Sequence, residues 1–185
     1  MLDNLNVISQ KDPQDALGVA AAQPTQATWQ AEIQNTYQLN EVANIVVAGM
    51  GGSALAAGIV KSWVRFEVPF EVVRKYNLPS YVNENTLVIA SSYSGNTEET
   101  LACLEEAEQR GAQIAVISAG GQLIDIAQEK NLPFVQLPNS YQPRMAVSLN
   151  LRALVKLLES SHLIEGKYDE IAGVADWLAD EAQKW

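Results

Sequence analysis

The sequence predicts an α/β fold, a three-layer αβα sandwich in which a five-stranded parallel sheet lies between two layers of helices. Short β-branched runs alternate with stretches of helical periodicity from residue 44 to residue 161. Such alternation is typical of parallel strands joined by right-handed crossover helices. The strand runs are also apolar with little interruption, as expected of strands that are covered on both faces. Further helices are predicted at both ends of the chain.

The N-terminal segment, residues 1–43, is predicted to be helical and to pack on this sheet domain. Pro13 suits a first helical turn, and apolar residues recur at helical spacing after it. Pro24 interrupts the pattern, and a second helix is predicted over residues 25–39. A four-residue spacing places three of its larger side chains on one face: Trp29, Ile33 and Tyr37.

The central region, residues 44–161, is predicted to hold the sheet and its covering helices. Residues 44–49 form a clear strand, because the β-branched run NIVVAG ends in a glycine. Residues 97–110 form a clear helix, with leucines on one face, glutamates opposite and Gly111 after the last turn. The remaining strands are predicted at 69–76, 86–92, 112–118 and 133–138. The remaining helices are predicted at 53–64, 121–130 and 143–161. A terminal helix is predicted at 168–185, within a C-terminal segment of residues 162–185.

The composition excludes several classes of function. The chain has 185 residues, of which 48% are hydrophobic and 18% charged, and these values are typical of a globular protein. Its net charge of −10 would repel nucleic acid over most of the surface, so no nucleic-acid partner is expected. No apolar run approaches the roughly 18 residues of a membrane span, so no membrane association is expected either.

The single cysteine and the single histidine are both interpreted as structural. One cysteine, Cys103, allows no intrachain disulfide, and we expect a reducing, cytoplasmic environment. Cys103 lies among apolar residues of a predicted helix and is interpreted as core packing. His162 lies near the end of the long predicted helix and is interpreted as a cation at its C-terminus. No cluster of His, Cys, Asp or Glu has metal-ligand spacing, so no metal ion and no cofactor are expected.

Three polar loops are predicted at the carboxyl edge of the sheet, where open α/β folds bind ligands. The first, which we call the glycine loop, is GMGGS at residues 49–53. Its glycines allow a ligand to approach the main chain closely. It lacks the spacing of a dinucleotide fingerprint, so a nicotinamide cofactor is not expected. Its candidate ligand-binding residues are Gly51, Gly52 and Ser53.

The second loop, which we call the serine loop, is SYSGNT at residues 92–97 and leads directly into a predicted helix. Hydroxyls and backbone N–H groups at a helix N-terminus can form an anion-binding nest. No Walker-type lysine follows, which favours a monophosphate over a triphosphate. The alternative is a turn with Thr97 as a simple N-cap and two glutamates satisfying the helix dipole. The candidate phosphate-binding residues are Ser92, Ser94, Gly95, Asn96 and Thr97.

The third loop, which we call the arginine loop, is NSYQPRMA at residues 139–146 and carries Arg144 in the first turn of a predicted helix. A cation is unfavourable at a helix N-terminus, where the dipole is positive. An anion held between Arg144 and the other loops would explain this position. The alternative is an arginine that extends into solvent or pairs with one of the 22 acidic residues.

The segments GMGGSALAAGIV, SYSGNTEETL and YQPRMA, in this order and at these spacings, resemble the sugar isomerase (SIS) domain. More narrowly, they are similar to the first half of the bifunctional phosphoglucose/phosphomannose isomerases. The serine loop alone is typical of any SIS domain, whereas the combination with QPR before the long helix is more specific. The resemblance covers essentially the whole chain and implies the SIS fold, with residues 44–161 as a sugar-phosphate-binding domain.

The resemblance also implies a ligand and a reaction. The ligand would be a hexose 6-phosphate, and the reaction would interconvert an aldose 6-phosphate and fructose 6-phosphate. The three hydroxyls of the serine loop would hold the phosphate, and Gly52 and Ser53 would contact the sugar. Arg144 would be the catalytic cation that stabilises the negative enediolate.

The chain also departs from the family pattern. The catalytic base and the ring-opening histidine of these enzymes belong to a second SIS domain, and no matching positions exist here. We therefore expect a half-site that binds the sugar phosphate without the base and that pairs with a second SIS domain or, as a homodimer, with a second copy. Two alternatives stay open: a stand-alone SIS module that binds or senses a sugar phosphate, and a SIS fold whose pocket is unused. Apolar residues on more than one face of the long helix favour pairing: Leu149, Ala153, Val155 and Leu157.

Overall fold

A six-stranded sheet forms the centre of this computed structural model, which describes residues 4–35, 38–182 and 184. In chain order the strands are β1 (Ile33–Gln34), β2 (Asn44–Gly49), β3 (Phe70–Val73), β4 (Thr86–Ser91), β5 (Gln113–Ser118) and β6 (Phe134–Gln136). Their order in the sheet is β1-β6-β5-β4-β2-β3. Strands β2 to β6 pair in parallel, and β1 pairs antiparallel with β6. The five predicted parallel strands are confirmed, and β1 is an addition.

Helices cover both faces of the sheet. In chain order they are α1 (Leu5–Lys11), α2 (Ala16–Ala21), α3 (Gln23–Gln26), α4 (Gly51–Trp63), α5 (Glu98–Gln109), α6 (Gly121–Glu129), α7 (Val147–Ser160), α8 (Lys167–Gly173) and α9 (Ala175–Ala182), with a 3-10 turn at Pro143–Met145. One face of the sheet packs against α4, α7 and α8, and the other packs against α5 and α6. The predicted three-layer αβα sandwich is therefore confirmed.

The central strands are buried on both faces, which explains their uninterrupted apolar sequence. In β2, Ile45 and Val47 belong to the core beneath α4 and α7, whereas Val46 and Ala48 belong to the core beneath α5 and α6. All four side chains are at most 1% exposed. Neither face of the strand can therefore carry polar residues, as is typical of parallel sheets with helices on both sides.

The strand order reverses at β2, and this reversal locates the ligand-binding edge. Strand β3 lies on one side of β2, and β4 lies on the other. In open parallel sheets such a reversal leaves a crevice outside the carboxyl ends of the two central strands. Gly49 at the end of β2 is aligned with Ser91 at the end of β4. The glycine loop and the serine loop therefore begin side by side at this crevice.

The helix predicted over residues 25–39 is wrong. Helix α3 ends at Gln26, and the chain then leads without a further helix into β1. Trp29 and Ile33 are four residues apart, and a spacing of four fits the two-residue period of an extended chain as well as it fits a helical turn. Tyr37 lies outside the described residues.

Buried side chains from the C-terminal half of the chain fix this segment. The Tyr168 hydroxyl accepts the N–H of Ala31 at 2.6 Å, and the Trp29 carbonyl accepts from Arg152 Nε at 2.9 Å. Arg152 is 1% exposed, and its guanidinium carbon lies 3.3 Å from the centre of the Tyr168 ring. These partners take up backbone groups that a helix would use, so tertiary contacts override the local helical preference.

The two C-terminal helix predictions are correct in type and differ in their bounds. The helix predicted at 143–161 begins with the 3-10 turn before α7. The helix predicted at 168–185 is divided into α8 and α9, which are separated at Val174. Gly173 precedes the break, and a glycine weakens a helix interior by about 1 kcal/mol relative to alanine. Residues 183 and 185 lie outside the described residues.

Helix α7 is buried within the chain itself, so the prediction that it leaves an open apolar face for a partner is wrong. The four apolar residues predicted to leave an open face are each at most 2% exposed: Leu149, Ala153, Val155 and Leu157. They share one core with the sheet, α4, α8 and the segment that holds Ala27 and Ala31. This helix therefore offers no uncovered apolar face, and pairing with a second domain or copy stays a proposal.

Cys103 is a core residue, as predicted. Its side chain is fully buried, and burial raises the pKa of its thiol to about 11. His162 follows the C-terminal end of α7, where its backbone N–H donates to the Glu159 carbonyl at 2.9 Å. Within residues 4–35 and 38–182, no helix has the length and apolar character needed to cross a membrane.

Candidate functional site

The serine loop is closed by hydrogen bonds among its own residues. The hydroxyls of Ser92 and Thr97 lie 2.7 Å apart, within hydrogen-bond distance. Ser92 Oγ also accepts the N–H of Gly95 at 3.2 Å, and Ser94 Oγ accepts the N–H of Asn96 at 3.3 Å. Ser92 is buried, whereas Ser94 and Asn96 are exposed. The loop is therefore held by one buried hydroxyl and presents polar groups to solvent.

Thr97 occupies the N-cap position of α5, yet its side chain caps no N–H group of the helix. Its hydroxyl is turned towards Ser92 instead. The first N–H groups of α5 therefore have no side-chain acceptor among the described residues, and such groups are free to bind an anion. The Glu98 carboxylate does not fill this position either, because it accepts from the Tyr76 hydroxyl at the surface, at 3.2 Å. This geometry argues against the simple N-cap alternative.

A fourth loop, residues 118–122, supports the serine loop, and sequence reasoning misses it. Gly95 has a φ of +72°, and a Cβ at this position would lie only 1.7 Å from the Gly120 carbonyl oxygen. Asn96 Oδ1 accepts the N–H of Gln122 at 3.0 Å. A usable signal was present, because SAGGQ places two glycines directly after a predicted strand at the same edge of the sheet.

The glycine loop contacts the arginine loop and is only partly open. A Cβ on Gly52 would lie 2.7 Å from the Pro143 carbonyl oxygen, so only a glycine allows this approach. Gly51 is exposed at the start of α4. Ser53 is 5% exposed, and its hydroxyl donates to Asn150 Oδ1 at 3.4 Å. The main chain at Gly51 is thus accessible to a ligand, whereas the Ser53 hydroxyl points inward.

Asn150 of α7 connects all three predicted loops, and the sequence analysis does not single it out. Its Oδ1 accepts from Ser53 and from the Ser91 hydroxyl at 3.3 Å, and its Nδ2 donates to the Ala146 carbonyl at 2.9 Å. Ser91 directly precedes the serine loop, and Ala146 ends the arginine loop. Asn150 is 1% exposed, and a buried amide that uses both ends fixes its partners relative to one another. An asparagine among the leucines of a long helix was the available signal, although Arg152, two positions later, is buried as well.

Tyr93 joins the serine loop to the arginine loop directly. Its hydroxyl donates to the Pro138 carbonyl at 2.7 Å and accepts the N–H of Tyr141 at 3.0 Å. The Tyr93 side chain is 8% exposed, and its burial raises the pKa of the phenol. The phenol therefore stays protonated at neutral pH and keeps its donor role, so the start of the arginine loop is fixed to the serine loop.

Arg144 lies in the 3-10 turn and is exposed. Its exposure agrees with the alternative of an arginine that extends into solvent, and it forms no ion pair with any residue in the described part of the chain. The turn is anchored by the N-terminal segment, because the Met145 carbonyl accepts from the side-chain amides of Gln23 and Gln26. Arg144 lines a cleft of about 570 Å³ between this turn and the first helices.

The fold thus brings the predicted residues to one edge of the sheet, where they differ in their exposure to solvent. Exposed residues are Gly51, Ser94, Asn96 and Arg144; partly buried residues are Gly52 and Thr97; buried residues are Ser53, Ser92 and Gly95. Their polar groups are hydroxyls, N–H groups, one side-chain amide and one guanidinium, a donor-rich set that suits an anion. Among the described residues, no three His, Cys, Asp or Glu side chains are grouped so that they could hold a metal ion.

Comparison with known proteins gives one family model and a group of relatives that share one name. The model of the family described as "SIS domain" matches residues 38–132, a range that includes the glycine and serine loops. The chain is 35% identical over 166 residues to the bifunctional phosphoglucose/phosphomannose isomerase of Caldicellulosiruptor bescii, a match that covers 83% of this chain and 49% of that protein. For the protein of the same name from Thermoplasma acidophilum, identity is 36% over 151 residues, with 82% and 46% covered. The chain thus spans about half the length of these curated relatives.

A solved structure supports the fold. The tagatose-6-phosphate ketose/aldose isomerase from Escherichia coli matches with a TM-score of 0.56 at 18% identity. The match covers 92% of this chain and 48% of that chain. Because one fold can carry many functions, a likeness at this level of identity bears on architecture and not on the ligand.

Proposed function

The chain belongs to the SIS domain family, and from that premise we propose that its serine loop binds the phosphate of a hexose 6-phosphate. The observation that carries the proposal is Thr97, which stands at the N-cap of α5 without capping it. The uncapped N–H groups, with the hydroxyls of Ser94 and Thr97, are the donors for the phosphate oxygens. The helix dipole adds about 0.3–1 kcal/mol of attraction at an exposed site, and more where the site is partly buried.

The sugar is proposed to extend from the serine loop past the glycine loop towards Arg144. Gly51 leaves room for the sugar beside the main chain, whereas the side of Gly52 where a Cβ would lie is filled by the Pro143 carbonyl. Arg144 then stabilises the charge that develops on the enediolate oxygens when glucose 6-phosphate or mannose 6-phosphate interconverts with fructose 6-phosphate. A fixed cation contributes most where charge appears in the transition state. The names of two relatives, both bifunctional phosphoglucose/phosphomannose isomerases, favour this reaction.

Proton transfer between C1 and C2 requires a base, and we propose that a second SIS domain supplies it. The relatives are about twice as long as the part that this chain matches, which favours such an arrangement. In this proposal residues 44–161 form the phosphate-binding half-site, residues 1–43 pack on it, and residues 162–185 lead towards the second domain. A second copy of the chain is the other source of a base. The single cysteine favours a cytoplasmic location.

The test of phosphate binding is calorimetry with the purified chain. We expect fructose 6-phosphate and glucose 6-phosphate to bind and the unphosphorylated sugars not to bind. The double change Ser94→Ala and Thr97→Ala removes two hydroxyl donors to a charged oxygen, and affinity should fall at least ~10-fold. The double change also removes the contact of Thr97 with Ser92 and the acceptor of the Asn96 N–H, so affinities are compared at a temperature at which both proteins are fully folded.

A matched control removes two hydroxyls from the opposite edge of the sheet. Ser62 lies in the last turn of α4, and Ser161 follows α7. The double change Ser62→Ala and Ser161→Ala should leave affinity unchanged. Unchanged binding in the Ser94 and Thr97 variant, or equal affinity for glucose and glucose 6-phosphate, would overturn the assignment of the serine loop.

A further inference from the structure

Helix α5 carries two carboxylates in its first turn, next to the proposed phosphate site. Glu98 and Glu99 directly follow Thr97, the last residue of the serine loop. A carboxylate in the first turn of a helix is attracted to the N–H groups at the helix end, and these are the groups that a phosphate would bind. A carboxylate that turned towards them would compete with the phosphate and repel it. The direction in which Glu98 is held therefore bears on the affinity of the site.

Tyr76 holds the Glu98 carboxylate at the surface. Its hydroxyl donates to Glu98 Oε2 at 3.2 Å, and both side chains are exposed. Among the described residues, Glu98 has no cation as a partner. The hydrogen bond to Glu98 and the negative charges of Glu99 and Glu98 raise the pKa of Tyr76. The phenol therefore stays protonated at neutral pH and keeps its donor role.

The segment that carries Tyr76 is fixed along the side of α5. It follows β3, and it contacts the helix on both sides of Tyr76 in the sequence. Before it, the Lys75 carbonyl accepts from Cys103 Sγ at 3.2 Å, and after it, the Leu78 N–H donates to Glu106 Oε2 at 2.6 Å. The backbone of this segment thus places the phenol beside the start of α5, and the bond to Glu98 does not have to do so alone.

We propose that Tyr76 is a positioning residue of the phosphate site, which keeps the Glu98 carboxylate away from the N–H groups that Thr97 leaves uncapped. Tyr76 acts through Glu98 and does not touch the ligand. This inference rests on the proposed function, because it requires a phosphate in the serine loop. It also explains how two glutamates can stand next to an anion site: the hydroxyl directs the first of them to the surface.

The test is calorimetry of the full chain with glucose 6-phosphate. Tyr76→Phe removes the hydroxyl and keeps the ring, so Glu98 becomes free to turn towards the end of the helix. Affinity should fall roughly threefold to fivefold, because the released charge is exposed and partly screened. The ratio of the affinities of the unmodified chain and the variant should move towards one as salt is added, since salt screens exposed charges. A loss caused by altered packing would not depend on salt in this way.

A double-mutant cycle identifies the group through which Tyr76 acts. In the Tyr76→Phe background, Glu98→Gln removes the released charge and should restore the affinity to at least that of the unmodified chain. In the unmodified chain, where the carboxylate is already held at the surface, Glu98→Gln should have a smaller effect. The difference between the two backgrounds measures the coupling between the phenol and the carboxylate.

Tyr81 provides the matched control. It is also an exposed tyrosine, and its hydroxyl donates to another glutamate, Glu71 Oε2, at 2.6 Å. Glu71 lies in β3, which is separated by β2 from β4 and the serine loop. Tyr81→Phe should leave the affinity for glucose 6-phosphate unchanged, which excludes a general effect of losing a surface hydroxyl.

The possible outcomes separate this inference from the proposed function. Unchanged binding of glucose 6-phosphate by Tyr76→Phe would overturn the role of Tyr76 and leave the serine loop assignment intact. A loss that persists after Glu98→Gln, or that is the same at low and high salt, would also overturn it, because the hydroxyl would then act without Glu98. If glucose 6-phosphate does not bind to the unmodified chain, the proposed function is wrong, and so is this inference.

Discussion

The serine loop and the arginine loop lie at the same edge of the sheet but are held in place in different ways. In the serine loop, the bonded hydroxyls of Ser92 and Thr97 are 5 positions apart. In the arginine loop, Met145 is bonded to Gln26, 119 positions away, and Gln142 is bonded to Gln14, 128 positions away. The proposed phosphate end of the site is therefore built by contacts within its own loop and with the next loop, where Asn96 is bonded to Gln122, 26 positions away. The end that carries Arg144 depends in addition on the N-terminal segment.

This difference predicts that the serine loop and the arginine loop respond to different substitutions. The serine loop is held by bonds within the loop and by the loop at residues 118–122, so phosphate binding should be insensitive to changes in the N-terminal segment. The turn that carries Arg144 has local hydrogen bonds as well, but it is also anchored by Gln26 and Gln14 of the N-terminal segment. A change in that segment should therefore alter selectivity for the far end of a ligand before it alters phosphate affinity. The following substitutions test this separation, from the largest expected effect to the smallest.

The largest effect is expected from Gly95→Ala in the serine loop. The new Cβ would lie 1.7 Å from the Gly120 carbonyl oxygen, at a φ of +72°. Gly111→Ala is the matched control, because its φ is +68° and nothing lies within 4 Å of the position of its Cβ. The left-handed conformation alone costs about 1–2 kcal/mol, which is the expected loss for Gly111→Ala. For Gly95→Ala the free energy of unfolding should fall by at least ~3 kcal/mol, because the contact with the main chain adds to this cost.

Urea unfolding of both variants measures the difference between them. A loss in Gly95→Ala no greater than in Gly111→Ala would show that the serine loop and residues 118–122 can separate. The site would then be less rigid than the local hydrogen bonds indicate.

The same contrast explains which parts of the site could be predicted from the sequence. The serine loop was predictable, because a run of hydroxyl and glycine residues between a strand and a helix is typical of an anion-binding turn. The orientation of the Thr97 hydroxyl was not predictable, since an N-cap and a hydroxyl bonded to Ser92 require the same residue types. The supporting loop at residues 118–122 could also have been predicted, because it follows a parallel strand at the same edge of the sheet as the other loops.

The supports of the arginine loop were beyond the reach of local patterns. The segment over residues 25–39 has helical spacing, but Arg152 and Tyr168, which follow it by more than 100 residues, bind its backbone, and β6 pairs with β1 inside it. Gln26 becomes an anchor of the 3-10 turn only after this segment has folded against α7. The partners of Asn150 could not be predicted either, because an asparagine in an apolar helix indicates a buried polar contact but does not identify the residues that form it.

An intermediate effect is expected from Asn150→Leu, which changes the residue that contacts both ends of the site. The substitution leaves the Ser53 and Ser91 hydroxyls without their acceptor and the Ala146 carbonyl without its side-chain donor. Loss of these bonds at a buried position should lower the free energy of unfolding by about 1–3 kcal/mol. Affinity for a hexose 6-phosphate should fall.

Thr86→Val is the control for Asn150→Leu. Thr86 is fully buried at the other end of β4, where its hydroxyl accepts the N–H of Asn83 at 3.0 Å. This variant should lose about 1 kcal/mol of stability and keep its ligand affinity. If the two variants bind equally well after correction for the folded fraction, Asn150 stabilises the fold without positioning the loops.

The smallest effect on stability, and the most selective effect on the site, is expected from Gln26→Leu. Gln26 is 3% exposed, and its Nε2 donates to the Met145 carbonyl at 2.8 Å. Its Oε1 is buried and has no hydrogen-bond partner among the described residues. Replacing the amide by an apolar group of similar size removes one hydrogen bond and also removes one unsatisfied acceptor. These terms oppose each other, so the free energy of unfolding should change by less than ~1 kcal/mol.

The effect of Gln26→Leu should instead appear in the arginine loop. With one anchor of Met145 lost, the amides of Met145 and Ala146, which donate within the turn to the carbonyls of Gln142 and Pro143, should exchange with solvent faster. The amide of Gly95 should exchange at an unchanged rate, since its acceptors lie in the serine loop. Affinity for phosphate should stay constant, and the exposed Gln30→Leu should change neither the exchange rates nor the affinity. Faster exchange at Gly95 as well would mean that the two ends are coupled through the sheet edge, and that the separation between local and distant support does not hold.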